Sequence, residues 1–512
     1  MPNVLDIQDD WLFYLCGIVL ILLFTLVRYI FICKSKGAAV DHFYWILVSR
    51  AYRTQKRLPI DLKNKFLLED SRQFYPPGFS FLLSLFSDKF ISSPRSIWII
   101  QFLDLLTIFV LIYIYFHFSL NPLFLVLVIV VFLSAPVLVA YNTQLTSRSL
   151  GNLLLSISLA CQIVGASFVS NLSGFLYFTV GVFSFSAMIL SHKMTTQFYF
   201  FLFPFWILSL CDYSSLGLWI GVLTPCFGLI LGTMLTGIRF QKMQWIAHWD
   251  IIAFWFRNWP ILGVHQFRNS PIYKSSASLN EAFHLQGLYG LIRHLFLVVS
   301  YLPAGLILPF TLFYTDPPSW LILAWFSIAY AAAILTLFIP FLKCLGGGHL
   351  YIYNAVLPTS LWWGHILSTD PSFLNFSLFA GGISVTLMVL FLGLLKRKRY
   401  EKNYDISADQ LILHLEKIPP TNVAAFPVTF TEKIALMTNH SVFWGGHGFG
   451  FRILEPYWPV MKEPIRKTLA DWNISYAILN IDWWPEGQTI FSEETGDSSP
   501  KLFGNWALYE VK

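Results

Sequence analysis

Charged residues are scarce in this chain: Asp, Glu, Lys and Arg make up 12% of its 512 residues, and stretches of twenty residues repeatedly pass without one. With 56% hydrophobic and 18% aromatic residues, that scarcity rules out a soluble globule and indicates a multi-pass membrane protein. The six cysteines, Cys16, Cys33, Cys161, Cys211, Cys226 and Cys344, show no CxxC spacing and none follows residue 396, so neither a zinc site nor a disulfide framework is indicated. Internal repeats, low-complexity tracts and coiled-coil heptads are missing as well. The first apolar run, "WLFYLCGIVLILLFTLVRYIFI", has no basic flank before it and no small-residue cleavage site after it. That pattern excludes a cleaved signal peptide and leaves a retained first transmembrane helix.

What is present is a series of apolar spans, near 11–33, 96–119, 122–141, 149–169, 173–191, 196–211, 215–236, 291–315, 319–342, 351–368 and 373–395. They predict about eleven membrane helices. Alternate loops differ in kind: "LNP", "SNLS", "CDYSS", "TDPPS" and "STDPS" are very short and share the N-terminal face, whereas 34–95, 237–290 and everything after "KRKRY" lie on the other. The chain's net charge of +6 is gathered in the loops of that second face.

Two segments of the second face read as helices lying in the membrane interface. In 241–259, Trp245 with Trp249 and Trp255 with Trp259 recur four residues apart, flanked by Lys242 and Arg257. In 41–57, Tyr44, Leu47, Val48 and Tyr52 share one helical face, leaving Arg50, Arg53 and Arg57 to reach phosphates. Residues 1–400 thus form the membrane domain, and 401–512 read as a small soluble α/β domain. There "SADQLILHLEKI" places Ser407 and Gln410 in capping-box spacing, and Pro464 opens a second helix. Between and after them "NVAAFPV", "SVFWGG", "ISYAILNID" and "WALYEV" predict a mostly parallel sheet of three or four strands.

Asp41 stands just past the first span, at the head of "DHFYWILVSRAYRTQKRLP". Three readings compete for it: a helix N-cap, part of a membrane-surface anchor, and a carboxylate that does chemistry at the membrane edge. Farther on, "FYPPGF" (74–79) supplies a rigid turn back toward the bilayer. Together, Asp41 after the first helix, "YPPGFSFLLSLF" before the second, and "SAPVLVAYNTQLTSRSLGNLL" around the start of the fourth resemble the GT-C class of membrane glycosyltransferases, such as protein O-mannosyltransferases and aminoarabinose transferases.

The resemblance implies a GT-C-like α-helical membrane protein with a C-terminal α/β domain, and a sugar moved from a polyprenyl-phosphate donor to a lipid, glycan or protein acceptor. It implies Asp41 as the essential acidic residue of the first large loop and an extracytoplasmic active face. Membrane lipids are the expected surroundings; nucleic acid is not an expected partner. Such chemistry needs a carboxylate to take the acceptor's proton and fixed cations for the departing lipid phosphate. Candidate substrate contacts on the same face are Arg148, Lys193, Arg268, His349, Tyr351 and Tyr75. His192 and His265 are weaker candidates, because a lone His beside aromatics is more often a hydrogen-bonded interface residue.

One departure from the class stands out. Many members carry a second acidic residue before the fourth helix, where this chain has Thr146, Ser147 and Arg148. No cofactor is therefore expected, and a divalent metal has no support in paired carboxylates; Arg148 suits phosphate instead, or reaches the interface as a snorkelling cation. "LGGGH" (345–349) reads as a tight turn, and "WGGHGFGF" (444–451) lacks the following helix that a phosphate fingerprint needs. The basic "KRKR" (396–399) conflicts with an extracytoplasmic second face under the positive-inside rule, although that rule is weak for long loops. Two other functions compete: a transporter, which the scarcity of ionisable residues in the spans disfavours, Asp104 being the clearest, and a non-catalytic scaffold.

Overall fold

The computed structural model describes residues 17–30, 40–63, 65–68, 72–167, 172–258, 288–311, 316–346, 348–401, 406–427, 430–445, 464–484, 487–497 and 499–511. In chain order its principal helices up to residue 401 are α1 (Gly17–Ile30), α2 (Val40–Gln55), α3 (Gly78–Ser84), α4 (Trp98–His117), α5 (Leu125–Leu133), α6 (Pro136–Tyr141), α7 (Arg148–Ser167), α8 (Leu172–Ile189), α9 (Lys193–Tyr213), α10 (Gly217–Thr236), α11 (Ile238–Arg257), α12 (Leu288–Tyr301), α13 (Pro317–Phe338), α14 (His349–Thr369) and α15 (Leu374–Glu401). Every expected apolar span is mostly helical where it is described, and among the described residues eight helical segments are long and apolar enough to cross a membrane.

Local sequence explains the ends and breaks. Pro136 cannot donate a backbone hydrogen bond, so the third span breaks before it into α5 and α6, with Pro136 in the first turn of the second piece. At α13 the Asp316 carboxylate accepts from Ser319 N (2.9 Å) while Ser319 Oγ accepts from Asp316 N (2.8 Å), which closes the short "TDPPS" connection into a capping box. Between the helices, three buried indoles find partners: Trp206 donates to Gln162 Oε1 (2.9 Å), Trp362 to Thr311 Oγ1 (2.8 Å) and Trp363 to Ala304 O (2.8 Å). These bonds tie α7 to α9 and α14 to the segment after α12.

The two segments expected in the interface part company. Helix α11 keeps Trp249 and Phe256 exposed, as an interfacial helix would, with Trp245 half-buried against Phe200 and Phe254 buried in protein; Trp259 lies outside the described residues. Helix α2 does not match that description, because Tyr44, Trp45, Ile46, Leu47 and Val48 are all buried in protein. The physical reason is in its sequence: "FYWILV" is apolar all the way round a helix, and such a helix is covered on all sides. Its arginines are engaged accordingly. Arg50 makes a two-pronged pair with Asp88 (2.7 and 2.9 Å), and Arg53 donates to Ser84 O and Phe86 O, so both brace α2 against the turn after α3 rather than reach for phosphates.

Phe79 of α3 covers one side of α2, and the C-terminal region covers another. Its helices are α16 (Ile406–Leu415), α17 (Thr431–Met437), α18 (Ile465–Asp471) and α19 (Gly487–Thr495). Short strands β1 (Ile60–Asp61) and β2 (Arg72–Gln73) belong to the first loop, and β3 (Asn422–Phe426), β4 (Ser441–Val442), β5 (Ile474–Asn480), β6 (Lys501–Phe503) and β7 (Trp506–Glu510) form the C-terminal sheet. Its order is β4-β3-β5-β7-β6, with β4, β3 and β5 parallel and β7 and β6 antiparallel to their neighbours. The expected mostly parallel sheet is thus mixed and has five strands. The extra strand comes from Gly504-Asn505, a two-residue turn with Gly504 at φ +59° that folds β6 onto β7.

The first loop completes this sheet. Leu67 N donates to Val442 O (2.9 Å), Leu68 N to Phe443 O (3.0 Å), and Val442 N to Lys65 O (2.8 Å), so residues 65–68 run beside β4 through a parallel bridge at Phe66. One continuous apolar core holds Tyr44, Trp45, Val48 and Phe66 together with Leu411, Val423, Phe430, Ile434 and Val442. On the sheet's other face, the fully buried Phe254 of α11 joins Leu68, Phe443 and Trp444.

Candidate active site

Three helices begin at one place. Asp41 lies in the first turn of α2, Arg148 is the first residue of α7, and Lys193 is the first of α9. Because α2 starts at Val40, Asp41 sits inside its first turn rather than at its cap. The Asp41 carboxylate is 7% exposed and lies 4.0 Å from Arg148 Nη2, the outer limit of an ion pair and beyond hydrogen-bond length. Arg148 also stands over the Tyr141 ring, 4.7 Å from its centroid, and Lys193 Nζ stands 4.4 Å from the centroid of Tyr75. Tyr75, in the Tyr-Pro-Pro-Gly turn, is itself set edge-on against Trp45 of α2 at 5.4 Å.

Two glycines let these pieces approach. Gly78 N donates to Leu190 O, and a Cβ at Gly78 would come within 2.5 Å of Ser191 Oγ; a Cβ at Gly151 on α7 would come within 2.6 Å of His192 Cβ. Larger side chains at either position would push the 190–193 segment, and with it Lys193, away from Tyr75 and Arg148. Helix α11 closes another side: Gln244 donates to Ile189 O (3.0 Å), and His248 feels the charge of Lys193.

The imidazoles at this place are held neutral. Burial, and after it the Arg148 charge, brings His192 down to about 3, against an opposing pull from Asp41. Burial brings His42 to about 4, and burial with the Lys193 charge brings His248 to about 4. His192 Nδ1 accepts from Thr195 N (3.3 Å), and His42 Nδ1 accepts from Leu145 N (3.4 Å), fastening the 142–148 segment to α2. None of the three is an acid near neutral pH.

A stability consequence follows. The unfolded chain protonates these groups near their ordinary value of 6.5, whereas the folded chain resists until about pH 4 or below. Their contribution to folding is complete above pH 6.5 and is lost as the pH falls toward 4. The melting temperature of the detergent-solubilised chain is therefore expected to drop steadily from pH 6.5 to pH 4.5; a melting temperature flat across that window contradicts the burial of these groups.

Of the residues singled out in the sequence, the structure brings together Asp41, Arg148, Lys193 and Tyr75. Tyr351 is placed differently. It is fully buried, donates to Leu345 O (2.6 Å) and accepts from Gln197 Nε2 (2.7 Å), so its hydroxyl holds the 340–346 segment onto α9. Arg268 and His265 lie outside the described residues, as does the side chain of His349. His248 was missed by the sequence reading; its spacing from Trp245 and Trp249 marked α11 only as an interface helix.

The arrangement offers one carboxylate, two cations and the first turns of three helices, whose dipoles favour an anion. Among the described residues no three His, Cys, Asp or Glu side chains gather as a metal set, and a guanidinium stands beside the Asp41 carboxylate.

No family model matches the chain, and no curated protein matches it in sequence. Solved structures do match in fold. ArnT from Cupriavidus metallidurans, bound to undecaprenyl phosphate, superposes with a TM-score of 0.56 at 13% identity, covering 97% of this chain and 98% of that one. The archaeal oligosaccharyltransferase AglB from Archaeoglobus fulgidus, in complex with an inhibitory peptide and a dolichol-phosphate, gives 0.51 at 12% identity over 92% of this chain and 71% of that one. An Archaeoglobus fulgidus oligosaccharyltransferase tethered with an acceptor peptide gives 0.51 at 11% identity, over 96% and 71%. The helical layout, the first-loop carboxylate at the head of α2 and these superpositions converge on one architecture: the chain has the GT-C membrane fold.

Proposed function

We propose that the chain is a membrane glycosyltransferase that moves a sugar from a polyprenyl-phosphate donor to a lipid, glycan or protein acceptor. The observation that carries this reading is the Asp41 carboxylate 4.0 Å from the Arg148 guanidinium, where three helix N-termini converge. The fold shared with a structure bound to undecaprenyl phosphate and one bound to a dolichol-phosphate supports the choice of donor.

In this scheme the acceptor's nucleophilic atom attacks the sugar's anomeric carbon as the bond from that carbon to the phosphate oxygen breaks. Asp41 takes the proton from the acceptor, and Arg148 and Lys193 receive the negative charge left on the lipid phosphate. Phosphate is already a good leaving group, so the neutral histidines need not act as acids. A single displacement inverts the anomeric centre. Tyr75 and the apolar wall behind it position the sugar and hold Lys193.

The site opens, in this proposal, on the extracytoplasmic side. A surface that gathers anionic lipid phosphates has its own reason to be basic, which accounts for the positive loops there. Reporter fusions after residue 405 test the orientation, and cytoplasmic reporter activity would reverse it. Mass spectrometry of lipid-linked sugars and surface glycans, in cells with and without the protein, tests the activity. A charged lipid donor that accumulates and a glycan that disappears are expected; unchanged pools of both would reject the proposal.

A further inference from the structure

Asp104 takes no part in that chemistry, yet it is the centre of a buried polar group. Its carboxylate accepts from Arg28 Nη2 of α1 (3.0 Å), from Asn142 Nδ2 (2.7 Å) and from the Tyr353 hydroxyl of α14 (2.9 Å). Tyr353 in turn accepts from Asn142 Nδ2 (3.1 Å) and lies 2.7 Å from Ser149 Oγ, while Ser149 Oγ donates to Asn142 Oδ1 (3.4 Å). All five side chains are buried. A charge pair at this depth is costly to keep, which makes it a site to be explained rather than a filler of space.

Its place in the chain supplies the explanation. Asn142 follows α6, Ser149 follows Arg148, and the connection between them carries the cation that faces Asp41. A single carboxylate therefore fixes both ends of that connection, and His42 fixes its middle through Leu145 N. We propose that Asp104, through Asn142, Tyr353 and Ser149, is a positioning residue that sets the Arg148 guanidinium between the Tyr141 ring and Asp41. The placement stands on geometry alone; its effect on lipid phosphate rests on the functional reading of Arg148 above.

Tyr353→Phe removes the bridging hydroxyl and keeps the ring, so it tests the group without emptying the core. In the full chain in detergent, with the melting temperature unchanged, hydrogen exchange of the 143–148 amides is expected to quicken by about tenfold. Affinity for sugar-free undecaprenyl phosphate is expected to fall about three- to tenfold, and the same change made in an Arg148→Gln chain should have no further effect. A merely structural group would weaken both backgrounds equally. Equal losses, or unchanged exchange, would overturn the proposal. If the wild-type chain does not bind undecaprenyl phosphate, the functional reading of Arg148 falls and exchange alone decides: faster exchange upholds the positioning role, unchanged exchange overturns it. Should Tyr353→Phe fail to fold, Ser149→Ala, which frees the other end of the segment, gives the same comparison.

Discussion

Asp41→Asn is expected to lower sugar transfer about 10²-fold or more while the protein still expresses, extracts and melts much as the wild type does. The substitution keeps the size and polarity of the side chain within the first turn of α2 and removes only its ability to take a proton. Its contact with Arg148 is long, at 4.0 Å, and Arg148 retains the Tyr141 ring, so the loss of stability should stay near 1–2 kcal/mol. Asp41→Glu should keep part of the activity, with the remainder lost to misplacement of the carboxylate. Transfer assays with a defined polyprenyl-phosphate donor read this directly. Near-normal transfer by a folded Asn variant would remove Asp41 from the chemistry.

Separating the C-terminal region from the first loop should have a larger effect still. Tyr44, Trp45, Ile46 and Val48 are 1–3% exposed in a core that α17 and the sheet share with α3 and the first loop, and residues 65–68 are bonded to β4. Each large apolar side chain returned to water loses about 1.5–3 kcal/mol, so ending the chain at residue 405 leaves α2 without a stable seat. Transfer is expected to vanish and the truncated chain to aggregate on size exclusion. Leu67→Pro is the milder test: it deletes the N–H donated to Val442 O and should cost about 1–3 kcal/mol, loosening the loop that carries Asp41. A monodisperse truncated chain with wild-type transfer would show that the C-terminal region merely accompanies the site.

Much of this arrangement could be read from residue order. Long apolar runs gave the membrane helices because in lipid the backbone has to bond within itself. Asp41, Tyr75, Arg148 and Lys193 come from separate stretches of sequence, and they meet because the ends of α2, α7 and α9 do. The course of α2 was misread because Tyr44, Leu47, Val48 and Tyr52 fit an amphipathic stripe, while the neighbouring Trp45 and Ile46 close that stripe into a helix apolar on all sides. Asp88, the partner of Arg50, lies beyond α3 and no local spacing predicts it. Arg28 and Asp104 were visible as opposite charges within apolar spans, and a rule pairing such charges would have found them; Asn142 and Tyr353 carry no comparable signal. The Gly504-Asn505 turn was a legible hairpin sign that the strand count passed over.

The most direct measurement is a structure of the full chain with undecaprenyl phosphate. Its phosphate oxygens should lie within about 3 Å of Arg148 and Lys193, beside Asp41 and at the first turns of α7 and α9. A phosphate bound elsewhere, with Asp41 left beside Arg148 and Lys193 left over the Tyr75 ring as they are here, would contradict the account.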